Sequence, residues 1–300
     1  MSMKLRRPFV IAMLLIAALA NPTRAALFDH SSYDAVLRHY VDDDGSVDYA
    51  SIQEASLTAL EGYFERLADA DMAGWTKPER LAFWINAYNA RVIYEVAQKP
   101  DLNKISDDFA LFDKPFKIGG RRLTLHDIEQ RILRGAVNKA NGKGPIPGVS
   151  FDRADPLIHF ALNAGAAGSP KLRPFAYTAE NIEAAMQENA VKFINSSDGM
   201  SVADDHLQLS SLFKWYAGDF KSAGGVPAYL SLLLVPDSAG DASARKRLLA
   251  TAYKKSTYRF DWKLNGKKYQ SPPVDGLAPA QEEIPPDALT TSNPDLGATK

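Results

Sequence analysis

One segment, TKPERLAFWINAYNARVIYEVAQ (Thr76 to Gln98), constrains the fold more than any other. Thr76 followed three residues later by Glu79 is a capping box, and Pro78 is tolerated in the first turn of a helix. Leu81, Trp84, Ile85 and Tyr88 then recur at helical spacing. Apolar residues spread so widely around this helix that it must be central. Asn86 and Asn89, one turn apart in that setting, each demand partners, because an unpaired buried amide costs about 1–3 kcal/mol.

The remaining pattern mixes helical and strand-like periods, and at 46% hydrophobic the 300-residue chain has ample apolar mass for a core. RRLTLHDIEQRILRG reads as a brief strand turning into a helix. Thr124 caps it, Leu125, Ile128 and Ile132 form its buried stripe, and Gly135 stops it. PLIHFALNA is predicted to be a strand, with His159 and Asn163 on one face. YTAENIEAAMQENAVKFINS is a helix capped by Thr178. HLQLSSLFKWYAGDF is a strand leading through a serine cap into a short helix, PAYLSLLLV another helix, and YRFDWKLNG a last strand. The expectation is a single α+β domain over residues 27–270, with several helices packed on a small mixed or antiparallel sheet. The alternative is α/β with a parallel sheet. Residues 271–300 are Pro-rich with little to bury and are expected to be a disordered tail.

The first 25 residues read as a signal peptide. Lys4, Arg6 and Arg7 precede the apolar run FVIAMLLIAALA, too short to span a bilayer comfortably, with cleavage expected after Ala20 or Ala25. The expected location is periplasmic or secreted, with no transmembrane segment after cleavage. The chain has no cysteine, which excludes disulfides, thiol catalysis, thiolate metal sites and lipid attachment at a cysteine. A net charge of −1 gives no electrostatic case for nucleic acid.

The common chemical motifs fail one by one. VDDDGSVDYAS places Asp42, Asp44 and Asp48 at three calcium-loop positions, but the first ligand would be Tyr40 and the last Ser51, so a solvated turn between helix and strand is expected instead. His30, His39, His126, His159 and His206 show no paired metal-ligand spacing, and no metal is expected. There is no phosphate loop, dinucleotide fingerprint or G-x-S-x-G elbow, so no cofactor is expected. What remains are polar residues at positions predicted to be buried: Asn86, Asn89, His159 and Asn163. They could tie helix to strand as a satisfied network. Equally, His159 could orient a reacting group while an amide donates to a developing oxyanion.

Five stretches, in order, carry a resemblance: FWINAYNA (Phe83 to Ala90), LTLHDIEQRILRG (Leu123 to Gly135), DPLIHFALNAGAAGSPKLRPFAYTAENI (Asp155 to Ile182), LSSLFKWYAGDF (Leu209 to Phe220) and YRFDWKLN (Tyr258 to Asn265). Together they resemble the signature blocks of the domain of unknown function family 547, over about Tyr33 to Asn265. The family's loop usually carries cysteines where this chain has Ala164 and Ser169, and a histidine where it has Gln130. A cysteine and histidine set in a mixed helix–sheet domain would suggest, by analogy, a papain-like or transglutaminase-like thiol centre. Here His159, Asn86, Asn89, Glu129 and Asp261 keep the polar framework while those reactive atoms are gone. If the family's cysteines only form a bridge, their loss carries no catalytic meaning.

Three readings follow. The preferred one is a non-catalytic or degenerate-enzyme binding domain whose cleft lies between the Asn86 helix and the loop Ala164 to Arg173. Asn86, Asn89, Glu129, Gln130, Asn163, Lys171 and Arg173 would contact a protein, peptide or cell-envelope ligand. The alternative is a hydrolase or acyl transferase with Ser169 as nucleophile, His159 as base and Asn86 or Asn163 as oxyanion donor. In the third, His159 and the asparagines only stabilise the core.

Overall fold

The computed structural model describes residues 26–136, 142–203, 206–235 and 241–267. The expected signal peptide, residues 1–25, and the expected tail, residues 271–300, lie outside the described residues. Three helices come first: α1 (Ser31–Tyr40), α2 (Tyr49–Ala55) and α3 (Leu57–Ala68). They pack their buried Tyr33, Leu37, Ile52, Leu60 and Tyr63 into one apolar cluster with α4 (Lys77–Ala97). In α4 the capping box forms, with the Thr76 amide donating to Glu79 at 2.7 Å. Every residue from Leu81 to Ala90 is buried, so the helix is the central element its all-round apolar pattern predicts.

After α4 come a hairpin of β1 (Phe116–Ile118) and β2 (Arg121–Leu123), turned by Gly119 and Gly120, both at positive φ. Such two-residue turns need left-handed backbone at both positions, which glycine supplies without steric cost. The chain then enters a widened helical turn, Asp127–Leu133, in which the Arg134 amide reaches back five residues to the Glu129 carbonyl at 3.0 Å. Thr124 caps it through the Asp127 amide at 3.0 Å. Leu125, Ile128 and Ile132 are buried, as the stripe predicts. The turn ends before Gly135 at φ 58°, where a Cβ would stand 2.0 Å from the Phe151 carbonyl oxygen.

The second half adds α5 (Ile182–Ile194), β3 (Met200–Ala203), β4 (His206–Ser210), α6 (Leu212–Trp215), α7 (Val226–Leu233), α8 (Asp241–Thr251) and β5 (Thr257–Arg259). The sheet order is β3-β4-β5, antiparallel between β3 and β4 and parallel between β4 and β5. A second apolar cluster, with Phe160, Phe193, Leu209, Phe213 and Phe220, lies over it. The architecture is therefore α+β, helices with two small sheets, one of them mixed. Among the described residues no helix is long and apolar enough to cross a membrane.

Three sequence expectations are corrected. PLIHFALNA is not a strand: Pro156–Phe160 is a 3-10 turn, started by Asp155, whose carboxylate accepts from the Leu157 amide at 3.0 Å. Proline at a first helical position and a capping aspartate outweigh the apolar alternation. The acidic turn leads into a helix rather than a strand, because Asp48 caps α2 through the Ser51 amide at 3.1 Å. Finally, α5 starts at Ile182, after a turn in which Thr178 Oγ1 accepts from the Asn181 amide at 3.3 Å.

Candidate functional site

Three asparagines shape the loop that follows the 3-10 turn. Asn89, on α4, donates to the Ala161 carbonyl at 2.8 Å and accepts from the Asn163 amide at 2.9 Å. Asn163 donates across the loop to the Pro170 carbonyl at 2.9 Å and accepts from the Gly165 amide at 2.8 Å. Asn86 clamps Tyr177 in the same two-sided way, at 2.7 and 2.9 Å. An asparagine can donate and accept at once, so each closes a small ring on backbone that would otherwise be buried unpaired. This is the satisfied network that the sequence left as one option, though it ties α4 to a loop instead of a strand.

The loop is also bonded to the chain's last segment. Ala167 donates to the Lys263 carbonyl at 2.7 Å, Gly168 to Asp261 at 2.8 Å, and Asn265 to Gly165 at 3.0 Å. A Cβ on Gly168 would stand 2.5 Å from the Asp261 backbone nitrogen. Gly168→Ala is therefore expected to push the two segments apart and cost about 1–3 kcal/mol, as overpacking does, read as a lower urea midpoint. An unchanged midpoint would show that the contact is not needed.

Behind this loop lies a pocket of about 50 Å³. Tyr88 enters it from α4, Phe112 and His126 from either side of the hairpin, Glu129 from the widened turn, and His159 from the 3-10 turn. Ala164, Ser169 and Pro170 come from the loop, and Trp215, Tyr216, Phe260 and Trp262 close it. Trp215 stacks on Trp262 with centroids 5.6 Å apart, so the wall is mostly aromatic. Ser169 is buried, and its Oγ accepts from the Ala164 amide at 3.2 Å.

A charged network supports one side. Asp219 accepts from His159 Nε2 at 2.8 Å and holds Arg134 through both oxygens, at 2.6 and 2.8 Å. Arg134 also bonds Gln130, Gln130 donates to Glu129 at 3.0 Å, and the Tyr216 hydroxyl donates to the same Glu129 oxygen at 2.6 Å. Tyr216 stacks on the His159 ring at 4.0 Å, and the Arg134 guanidinium sits 5.0 Å from the Tyr216 centroid. Burial pulls the His159 imidazole below its usual value against the opposing pull of Asp219, so the ring is neutral. Burial raises the Asp219 carboxyl, but hydrogen bonds from His159 and Arg134 outweigh it and hold the group well below the usual carboxylate range.

Of the residues singled out in the sequence, Ser169, His159 and Glu129 line one pocket, and Gln130 stands behind Glu129. Asn86, Asn89 and Asn163 are buried clamps outside its lining. Lys171 and Arg173 lie outside it too, paired with Asp198 at 3.4 Å and Glu188 at 2.8 Å. The sequence reading missed Asp219, Arg134, His126 and the aromatic wall. Arg134, Trp215, Tyr216, Asp219 and His126 all stand in quoted blocks, but their partners are distant: 85 residues separate Arg134 from Asp219. No periodicity reaches that far.

A larger cavity, about 390 Å³, lies between the start of α1 and residues 176–181. Two of its polar groups serve the backbone: Asp34 accepts from Ala176 at 2.8 Å and Asn181 from Thr178 at 2.9 Å.

No curated protein and no solved structure matches the chain. A family match does exist, and it spans α4 to the end of α5, so it includes the clamps, Glu129, His159 and Ser169 but not Tyr216, Asp219 or Trp262. Residues 72–194 match the model of the family described as "Protein of unknown function, DUF547", and over that stretch the chain is similar to that family.

Proposed function

We propose that this chain is an exported, non-catalytic binding domain built on an enzyme-like framework, whose pocket receives one small group of a protein, peptide or cell-envelope ligand. The observation that carries this reading is where the hydrogen bonds of the two candidate reacting groups go. Ser169 Oγ accepts from the Ala164 amide, His159 Nε2 donates a hydrogen bond to Asp219, and no hydrogen bond joins Ser169 to a histidine among the described residues. A serine hydroxyl is a poor nucleophile without an adjacent base. Gln130 can orient a neighbour but cannot carry a proton. The volume supports the same reading. A pocket of 50 Å³ is small beside the roughly 300–1,000 Å³ of metabolite sites, yet exceeds the ~10–15 Å³ that one water needs. It suits the end of a single side chain.

Two measurements test this. Incubation with a fluorophosphonate probe followed by intact mass is expected to leave the protein unmodified; a Ser169-dependent adduct would establish the hydrolase reading instead. Fractionation of cells making the full chain is expected to place a form shortened after Ala20 or Ala25 outside the cytoplasm. An uncleaved cytoplasmic product would remove export from the proposal.

A further inference from the structure

Resting on that binding reading, we infer that the group the pocket takes is a primary alkylammonium, such as the end of a lysine side chain. Two buried acceptors point to this choice, and no cation is hydrogen-bonded to the first of them. Glu129 is 6% exposed, and its hydrogen-bond partners are the neutral Tyr216 hydroxyl and Gln130 amide. Among the described residues no cation bonds it directly; the Arg134 charge reaches it only through space, while the guanidinium itself is held by both oxygens of Asp219. A buried carboxylate is costly unless a positive charge meets it.

The second acceptor is His126, 3% exposed and on the pocket wall. Its Nδ1 lies 2.9 Å from Asp113 Oδ1. A carboxylate can only accept, so Nδ1 carries a proton, and in that tautomer Nε2 is the acceptor. Nε2 is buried without a partner. A ligand with several N–H donors on one positive centre satisfies both groups; an anion would face Glu129, and a hydrocarbon would leave Nε2 unmet.

The rest of the wall fits the same ligand. Among the described residues the lining holds no lysine or arginine, and its aromatic rings, Trp215 and Trp262 among them, suit a methylene stem and attract a cation through their faces. The volume admits the ammonium and the last few methylenes, not a whole metabolite.

The test is calorimetric titration of the mature protein with n-butylammonium, n-butanol and butyrate, and with the peptide acetyl-Gly-Lys-Gly-amide. Butylammonium is expected to bind at least tenfold more tightly than either isostere. Glu129→Gln, checked by its melting curve, is expected to remove that preference. Tighter binding of the peptide than of butylammonium identifies a peptide lysine as the source, and equal or weaker binding a free amine. Equal binding of butanol or butyrate would overturn the ammonium inference and leave the binding pocket standing. Absence of binding by all four would also overturn it. A Ser169-dependent fluorophosphonate adduct would instead bring down the non-catalytic reading on which the inference rests.

Discussion

Asp219→Ala is expected to lower stability by about 3–5 kcal/mol, as removing one partner of a buried ion pair does. Asp219 and Arg134 keep only 12% and 16% of their side chains exposed, and the aspartate is also the acceptor for His159 Nε2. Removing it strands a guanidinium and an imidazole N–H together, and the Arg134–Tyr216–His159 stack loses the group that fixes its ends. The wild type should show the same linkage through pH. His159 has its folded value lowered from 6.5, so the unfolded chain takes up that proton first and stability falls as pH drops below about 6.5. Asp219 has its folded value lowered from 3.8, so its contribution is complete above that pH and is lost only on stronger acidification. Urea midpoints for wild type and variant would check both statements. A loss under about 1 kcal/mol would mean that solvent reaches the network and that it does not organise the pocket.

Asn89→Ala is expected to cost about 2–5 kcal/mol, because it leaves the Ala161 carbonyl and the Asn163 amide buried without partners, at roughly 1–3 kcal/mol each. It should also loosen the loop that carries Ser169, so ligand binding falls with stability. Lys171→Ala gives the contrast. Its pair with Asp198 is 3.4 Å long with the lysine 40% exposed, and such surface pairs contribute about 0–1 kcal/mol. If Asn89→Ala proved as mild as Lys171→Ala, the clamp would be dispensable and the rigid-loop account of the pocket would fail. Chemical denaturation of the two variants beside wild type decides this.

These contrasts mark how far the sequence could be read. Asn86, Asn89 and Asn163 were found because an amide in an apolar pattern must be bonded, and that demand is local. What each would bond was not legible: Asn89 reaches a loop more than 70 residues away, across a turn that the alternation misrepresents as a strand. Lys171 and Arg173, charged residues at the end of the loop Ala164 to Arg173, read as its rim, yet both side chains are held in ion pairs outside the pocket.

The sequence by itself determined the buried central helix with its capping box, the strand-to-helix turn ending at Gly135, the α+β class and the absence of thiol chemistry. Each rests on spacing of a few residues or on composition. Only the tertiary structure decided that Glu129, His126, His159 and Ser169 share one pocket, that Asp219 holds His159, and that Trp215 and Trp262 form its wall. Those groups meet because the loop at 164–170 is hydrogen-bonded to the segment at 261–265 while α4 packs behind it. Contacts of that range depend on how elements pack in space, which no local period in the chain records.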